Sequence, residues 1–118
     1  MRSFEVDILG EKWEVLIRKE AEEQRLDGSD GFADWTARQI VIADRLDEGN
    51  LKFPRAYICK VLRHEIIHAF FRESGLGESM YWGLSNEEMI VDWIAIQLPK
   101  IAAVCKYAED KLTRLLYD

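Results

Sequence analysis

The stretch LRHEIIHAFF, Leu62 to Phe71, constrains the fold more than any other, because it sets His64, Glu65 and His68 among large apolar residues. A helix with this composition belongs to the core, and its polar stripe then needs a partner. His64 and His68, at i and i+4, stand one turn apart on the same face, as two ligands of one ion must. Glu65 projects about 100° around from His64, close enough to reach a water on such an ion without binding the ion itself. Cys59 lies about 140° from His64 and faces away.

The pattern before this helix is that of strands. Phe4, Val6 and Ile8 alternate with charges, Leu9-Gly10-Glu11-Lys12 interrupts, and Trp13, Val15 and Ile17 resume, which predicts a β-hairpin. A polar excursion from Lys19 to Gly31 follows, and FADWTARQIVIAD then carries a further strand signal ending in Ile40 to Asp44. Pro54 suits the first turn of a helix running to Glu73, stopped by Ser74-Gly75, and the Gly-punctuated Ser74 to Gly83 reads as a loop. Ser85, with Glu88 three residues on, forms a capping-box pattern for a helix from Asn86 to Leu98. Pro99 is expected to end it and to begin a last helix, Lys100 to Tyr117. The expected fold is therefore α+β: a three- or four-stranded, antiparallel-type sheet followed by about three helices, in one domain spanning 1–118.

A net charge of -6 argues against a nucleic-acid grip, which needs a basic face. The opening MRSFEVDILG is too acidic and too short in apolar length for a signal peptide, and no run approaches the ~20 apolar residues of a membrane span. The expected setting is the cytoplasm. Cys59 and Cys105 lack C-x-x-C spacing and read as buried free thiols.

A tetrahedral catalytic zinc takes three protein ligands and leaves one position open, and with both histidines used the third must be Asp, Glu or Cys. In EEMIVDWIAIQL, from Glu87 to Leu98, apolar residues cover nearly every direction of the helix, which predicts that it is buried. Glu88 and Asp92, at i and i+4, then share a buried face, where two carboxylates need cations or donors. A metal on Glu88 and an imidazole N–H on Asp92 would satisfy both, with His64 the imidazole in question. Glu87 is the rival ligand, but it lacks an acidic partner one turn on.

These residues resemble the gluzincin metallopeptidases, whose pattern is H-E-x-x-H followed on a second helix by E-x-x-x-D. The order of sheet and helices, with RQIVIAD before the motif helix and AIQLP closing the next, is similar to small ImmA/IrrE-type predicted peptidases, many of them phage or prophage encoded. The resemblance covers about residues 31 to 99. It implies a minimal zincin-like fold and one Zn²⁺ per chain on His64, His68 and Glu88. It also implies Glu65 as general base, Asp92 as an outer partner, and the strand near Arg38 to Ala43 lying along the substrate. Larger gluzincins often add a downstream histidine for the oxyanion. This chain has no third histidine, which leaves Tyr81, Arg72 or Tyr107 as possible oxyanion or substrate contacts.

The expected activity is zinc-dependent hydrolysis of a peptide bond in an extended peptide or protein segment, such as a regulatory protein, by a metal-activated water. The alternatives are a non-catalytic, metal-stabilised accessory protein or another zinc-dependent amide hydrolase. A purely structural zinc usually has four protein ligands and no need of Glu65.

Overall fold

A computed structural model describes residues 2–76 and 87–117, apart from the side chains of 87–89, 91, 92 and 117. The chain opens with the expected hairpin, β1 (Arg2–Ile8) and β2 (Glu11–Arg18), paired antiparallel from Arg2↔Ile17 to Ile8↔Glu11. Its turn is only Leu9-Gly10, both at positive φ (52° and 91°), the backbone that matches the twist of a two-residue hairpin. The Gly10 N–H donates to Asp7 Oδ1 at 2.8 Å and holds the turn closed.

The polar excursion forms two short 3₁₀ turns, Glu20–Glu22 and Gln24–Leu26, and the second presses a fully buried Leu26 against the sheet. Next come β3 (Gly31–Asp34) and β4 (Gln39–Ala43), joined antiparallel by a turn at 35–38. The four strands lie in the order β1-β2-β4-β3. The sheet is mixed, because β2 and β4 run parallel, with Val15↔Ile40 and Ile17↔Ile42 in register. This corrects the antiparallel-type sheet predicted from the sequence. The connection after β2 is long enough to carry the chain past the place β4 will occupy, so β3 takes the edge and β4 returns inside it. Alternation along the strands splits the side chains between two cores: Val15, Ile17, Ile40 and Ile42 face the helices, while Leu16 and Val41 meet Leu26 on the opposite face.

Helix α1 (Pro54–Glu73) has the predicted limits, with Pro54 opening it where a missing N–H costs nothing. Ile58, Val61, Leu62, Ile66, Ala69 and Phe70 form its buried stripe at three- and four-residue spacing. Glu73 fastens its end to the sheet. Glu73 Oε2 accepts the Trp13 indole N–H at 2.7 Å and the Arg38 guanidinium at 2.6 Å. The Arg38 hydrogen bond holds the Glu73 carboxyl below its ordinary value; burial opposes it and Trp13 assists it. A depressed carboxyl stabilises the fold above its unfolded pKa and loses that contribution as pH falls through the lower, folded value. Glu73→Gln is therefore expected to cost about 1–2 kcal/mol at pH 7 and far less at pH 3. Denaturant titration at both pH values measures this, and equal losses would contradict the clamp.

The remaining described chain is one helix, α2 (Glu87–Tyr117), with Pro99 inside it. The predicted break at Pro99 does not occur, so the described residues hold two long helices, α1 and α2, where about three helices were expected over the chain. The lost hydrogen bond to the Ala95 carbonyl is tolerated because both residues are exposed and water can serve that carbonyl. The helix is also held on both sides of the proline. Trp93 stacks on Phe71 at 4.6 Å and donates to Ser74 Oγ at 3.2 Å, while Ile101, Cys105, Ala108 and Leu112 enter the core. Ile94, Ile96 and Leu98 are 44%, 64% and 55% exposed, which corrects the prediction that this stretch is buried all round. Cys105 is buried and Cys59 half-buried, both free thiols as expected. Among the described residues, no helix is long and apolar enough to cross a membrane.

Candidate metal centre

Helix α1 crosses the sheet beside β3, and between them lies a cleft of about 650 Å³. Gly31, Phe32 and Ala33 of the edge strand form one bank, and His64, Glu65, His68 and Phe71 of α1 form the other. The strand along the cleft is therefore β3. The strand near Arg38 to Ala43, expected there from the resemblance, is β4, which is paired on both sides and has no edge to offer.

Gly31 is what lets the two banks close. A Cβ at that position would stand 2.9 Å from Val61 Cγ1, closer than real Cβ atoms come, and 3.0 Å from the Val41 carbonyl oxygen, tighter than most real Cβ contacts. It would also lie 3.4 Å from Glu65 Cγ, so the strand passes directly over the Glu65 side chain. In the sequence Gly31 reads only as the end of the polar excursion, since the close approach depends on a helix thirty residues away.

His64 and His68 share the open face of α1, with their Nε2 atoms 3.2 Å apart and their rings edge to face at 4.8 Å between centroids. Two nitrogens bound to one tetrahedral ion at about 2.0–2.1 Å would stand roughly 3.3 Å apart. The pair thus has the separation that one shared zinc demands, and without metal one Nε2–H can donate to the other. Partial burial and the neighbouring His64 lower the His68 pKa, although its ring borders the open cleft. That favours the neutral imidazole that a metal needs.

Glu65 is 6% exposed, and burial pushes its carboxyl up to about 7. A carboxyl with that value exchanges a proton readily near neutral pH, as a general base must. The three residues of the motif are thus brought together as predicted. Among the described residues, no set of three His, Cys, Asp or Glu side chains forms a complete metal site. Glu88 and Asp92 lie in the first turns of α2, but their side chains are outside the description, as is the rival ligand Glu87. Trp93, the residue after Asp92, stacks on Phe71 of the cleft wall, so α2 enters alongside the cleft.

Of the three predicted oxyanion or substrate contacts, Arg72 lines the cleft, its guanidinium 3.7 Å above the Trp35 ring. Tyr81 lies outside the described residues. Tyr107 belongs elsewhere: it borders a separate hollow with Val104 of α2 and Glu5, Asp7 and Lys12 of the β1–β2 hairpin. Its position in the second half of α2 carries it along the sheet to the β1 side. Three aromatic walls, Trp13, Trp35 and Phe71, went unrecognised in the sequence, because each reads equally well as a packing residue. Toward the start of α1 the cleft continues into a smaller hollow of about 180 Å³ with Tyr57, Lys60 and Asp30, which shares Gly31, His64 and Glu65 with it. There the Tyr57 hydroxyl donates to Asp30 Oδ2, and Asp30 also accepts from Arg45 Nε at 3.1 Å.

No protein-family model, curated protein or solved structure matches this chain.

Proposed function

We propose that this chain is a zinc-dependent peptidase of gluzincin type that hydrolyses a peptide bond in an extended protein segment. The observation that carries the reading is the imidazole pair, Nε2 to Nε2 at 3.2 Å on one helix face, beside a buried glutamate and the last strand of the described sheet, β3. In this reading His64 and His68 hold the metal through Nε2, and Glu88 completes the set. Asp92 accepts an imidazole N–H and fixes the tautomer. Support for Glu88 and Asp92 comes from their one-turn spacing and from the gluzincin-like pattern E-x-x-x-D.

Zinc, when bound, supplies Lewis-acid polarisation of the scissile carbonyl and acidifies a water. The protein's own residues do the rest. Glu65 takes a proton from the attacking water at its carboxylate and delivers it to the leaving amine nitrogen. The β3 edge offers main-chain N–H and C=O groups to an extended substrate, giving affinity that does not depend on substrate side chains. In this reading Arg72, which lines the cleft, donates to an oxygen that gains charge. A metal staple without chemistry would have no use for a desolvated carboxyl beside the pair, which disfavours a non-catalytic role.

The test is incubation of zinc-loaded protein with a denatured, alkylated protein substrate, followed by mass spectrometry of new N-termini. Cleavage that a chelator abolishes and zinc restores is expected. One bound zinc per chain with no new N-termini from several such substrates would contradict the peptidase reading.

A further inference from the structure

At the end of the sheet away from the cleft, the last strand is β1. In a two-residue hairpin the closing pair, Ile8 and Glu11, exchanges both of its backbone hydrogen bonds, and so does every second pair behind it, Val6 with Trp13 and Phe4 with Val15. Ser3, Glu5 and Asp7 therefore turn their N–H and C=O groups outward. Among the described residues no strand meets them.

The two faces of this edge differ in chemistry. Phe4, Val6 and Ile8 pack on the helix side, and beside them α2 leaves a hollow of about 400 Å³ lined by Val6, Ala103, Val104 and Tyr107. Tyr107 is 50% exposed, so half of an apolar ring is left uncovered by the chain's own core. Lys111 Nζ stands 5.5 Å from that ring and makes the helix side unfavourable for a second cation.

Glu5, Asp7 and Lys12 complete the lining of the hollow. The strand register sets Glu5 beside Glu14 and Asp7 beside Lys12, which is three acids against one lysine. Asp7 Oδ1 already accepts the Gly10 N–H, and Lys12 offsets part of its charge, so Glu5 carries most of the attraction for a cation.

We infer that the outer edge of β1 takes an extended segment of a partner protein as a fifth strand, with basic side chains beside Glu5 and Asp7 alternating with apolar ones that enter the α2 hollow. Main-chain hydrogen bonds to Ser3, Glu5 and Asp7 supply affinity, and the alternation supplies selectivity. A second copy of this chain is a poor occupant, because its own β1 brings Glu5 and Asp7 to the positions that call for cations. The surface lies at the opposite end of the sheet from β3, so it is independent of the peptidase reading and can be filled while the cleft is occupied.

The probe is a blocked, fluorescently labelled peptide of nine residues in which lysine alternates with valine. One comparator carries the same residues with the lysines in a single block, and another carries glutamate in place of lysine. Binding to Glu65→Gln protein, chosen so that no probe is cleaved, is followed by fluorescence anisotropy, and amide hydrogen exchange is read by NMR. The alternating lysine peptide is expected to bind about tenfold or more tightly than either comparator and to slow exchange at Ser3, Glu5 and Asp7. In the same background Glu5→Lys should bring the lysine and glutamate peptides to within about threefold of each other. Tyr107→Ser should weaken the lysine peptide about tenfold. Both positions are exposed, and unchanged melting temperatures verify that both variants fold.

Equal binding of the block peptide would reduce the effect to attraction by the net charge of -6 and overturn the inference. So would no binding, or slowed exchange along β3 in place of β1. Protection of Ser3, Glu5 and Asp7 in the peptide-free protein that disappears on dilution would make a second copy the occupant, and would overturn it as well.

Discussion

Glu65→Gln is expected to keep its zinc and to lose hydrolysis by about 10²–10⁴-fold, the usual contribution of a positioned general base. The amide fills the same space under Gly31 but cannot take a proton from water. The same substitution should leave the metal-free protein more stable than wild type at pH 8, by about 1–3 kcal/mol. Burial raises the Glu65 carboxyl from its ordinary 4.5 to about 7, so the folded chain favours the neutral acid. That contribution is present below pH 4.5 and lost as pH rises through about 7, where a buried carboxylate must be carried. Glutamine carries no such charge. A gain in stability paired with a loss of activity marks a group kept for chemistry rather than packing. Cleavage assays and denaturant titrations on the same two preparations measure both. Wild-type rates in Glu65→Gln would remove it from the mechanism.

Zinc should raise the melting temperature of the wild type by roughly 10 °C when supplied at a hundred times its dissociation constant. Binding to the folded state alone adds about 2.7 kcal/mol at that ratio, and a chain of this size gains a few degrees per kcal/mol. His68→Ala should melt close to the wild type without metal, because its ring borders the cleft rather than filling the core. It should gain little from zinc. Cys59→Ser serves as the control, since Cys59 packs beside Glu109 of α2, away from the imidazoles, and its zinc response should match the wild type. An equal shift in His68→Ala would place the bound zinc somewhere else on the chain.

How far the sequence could be read follows from which features are local. The β1–β2 hairpin was legible because Phe4, Val6 and Ile8 and then Trp13, Val15 and Ile17 keep a strict period of two. Helix α1 was legible at both ends, through Pro54 and Ser74-Gly75, and its HEIIH motif placed His64 and His68 together without reference to the rest of the chain. The parallel pairing of β2 with β4 was not legible, since it is decided by where the long 19–30 connection sets down β3. The turn at 35–38 contains no glycine, proline or asparagine, so β3 and β4 read as one strand signal. Its signature was Asp34 followed by Thr36, with Arg38 taking the positive φ of 50°.

Pro99 misled in the opposite direction. A proline is a strong local stop, but packing of Trp93 on one side and Ile101 on the other outweighs one missing hydrogen bond. The same apolar run made the start of α2 look buried, whereas Ile96 and Leu98 are largely exposed. The case for Glu88 and Asp92 therefore no longer draws on burial of that stretch. It stands on their spacing and on the entry of α2 beside Phe71.

The most direct test of the metal centre is zinc content by mass spectrometry on protein purified without chelator, for the wild type, Glu88→Ala and Glu87→Ala. The proposed ligand set predicts close to one zinc per chain in the wild type and in Glu87→Ala, and a loss of most of it in Glu88→Ala. A wild type that holds no zinc even after zinc is added back would contradict the account, and would leave HEIIH as an ordinary stripe on a core helix.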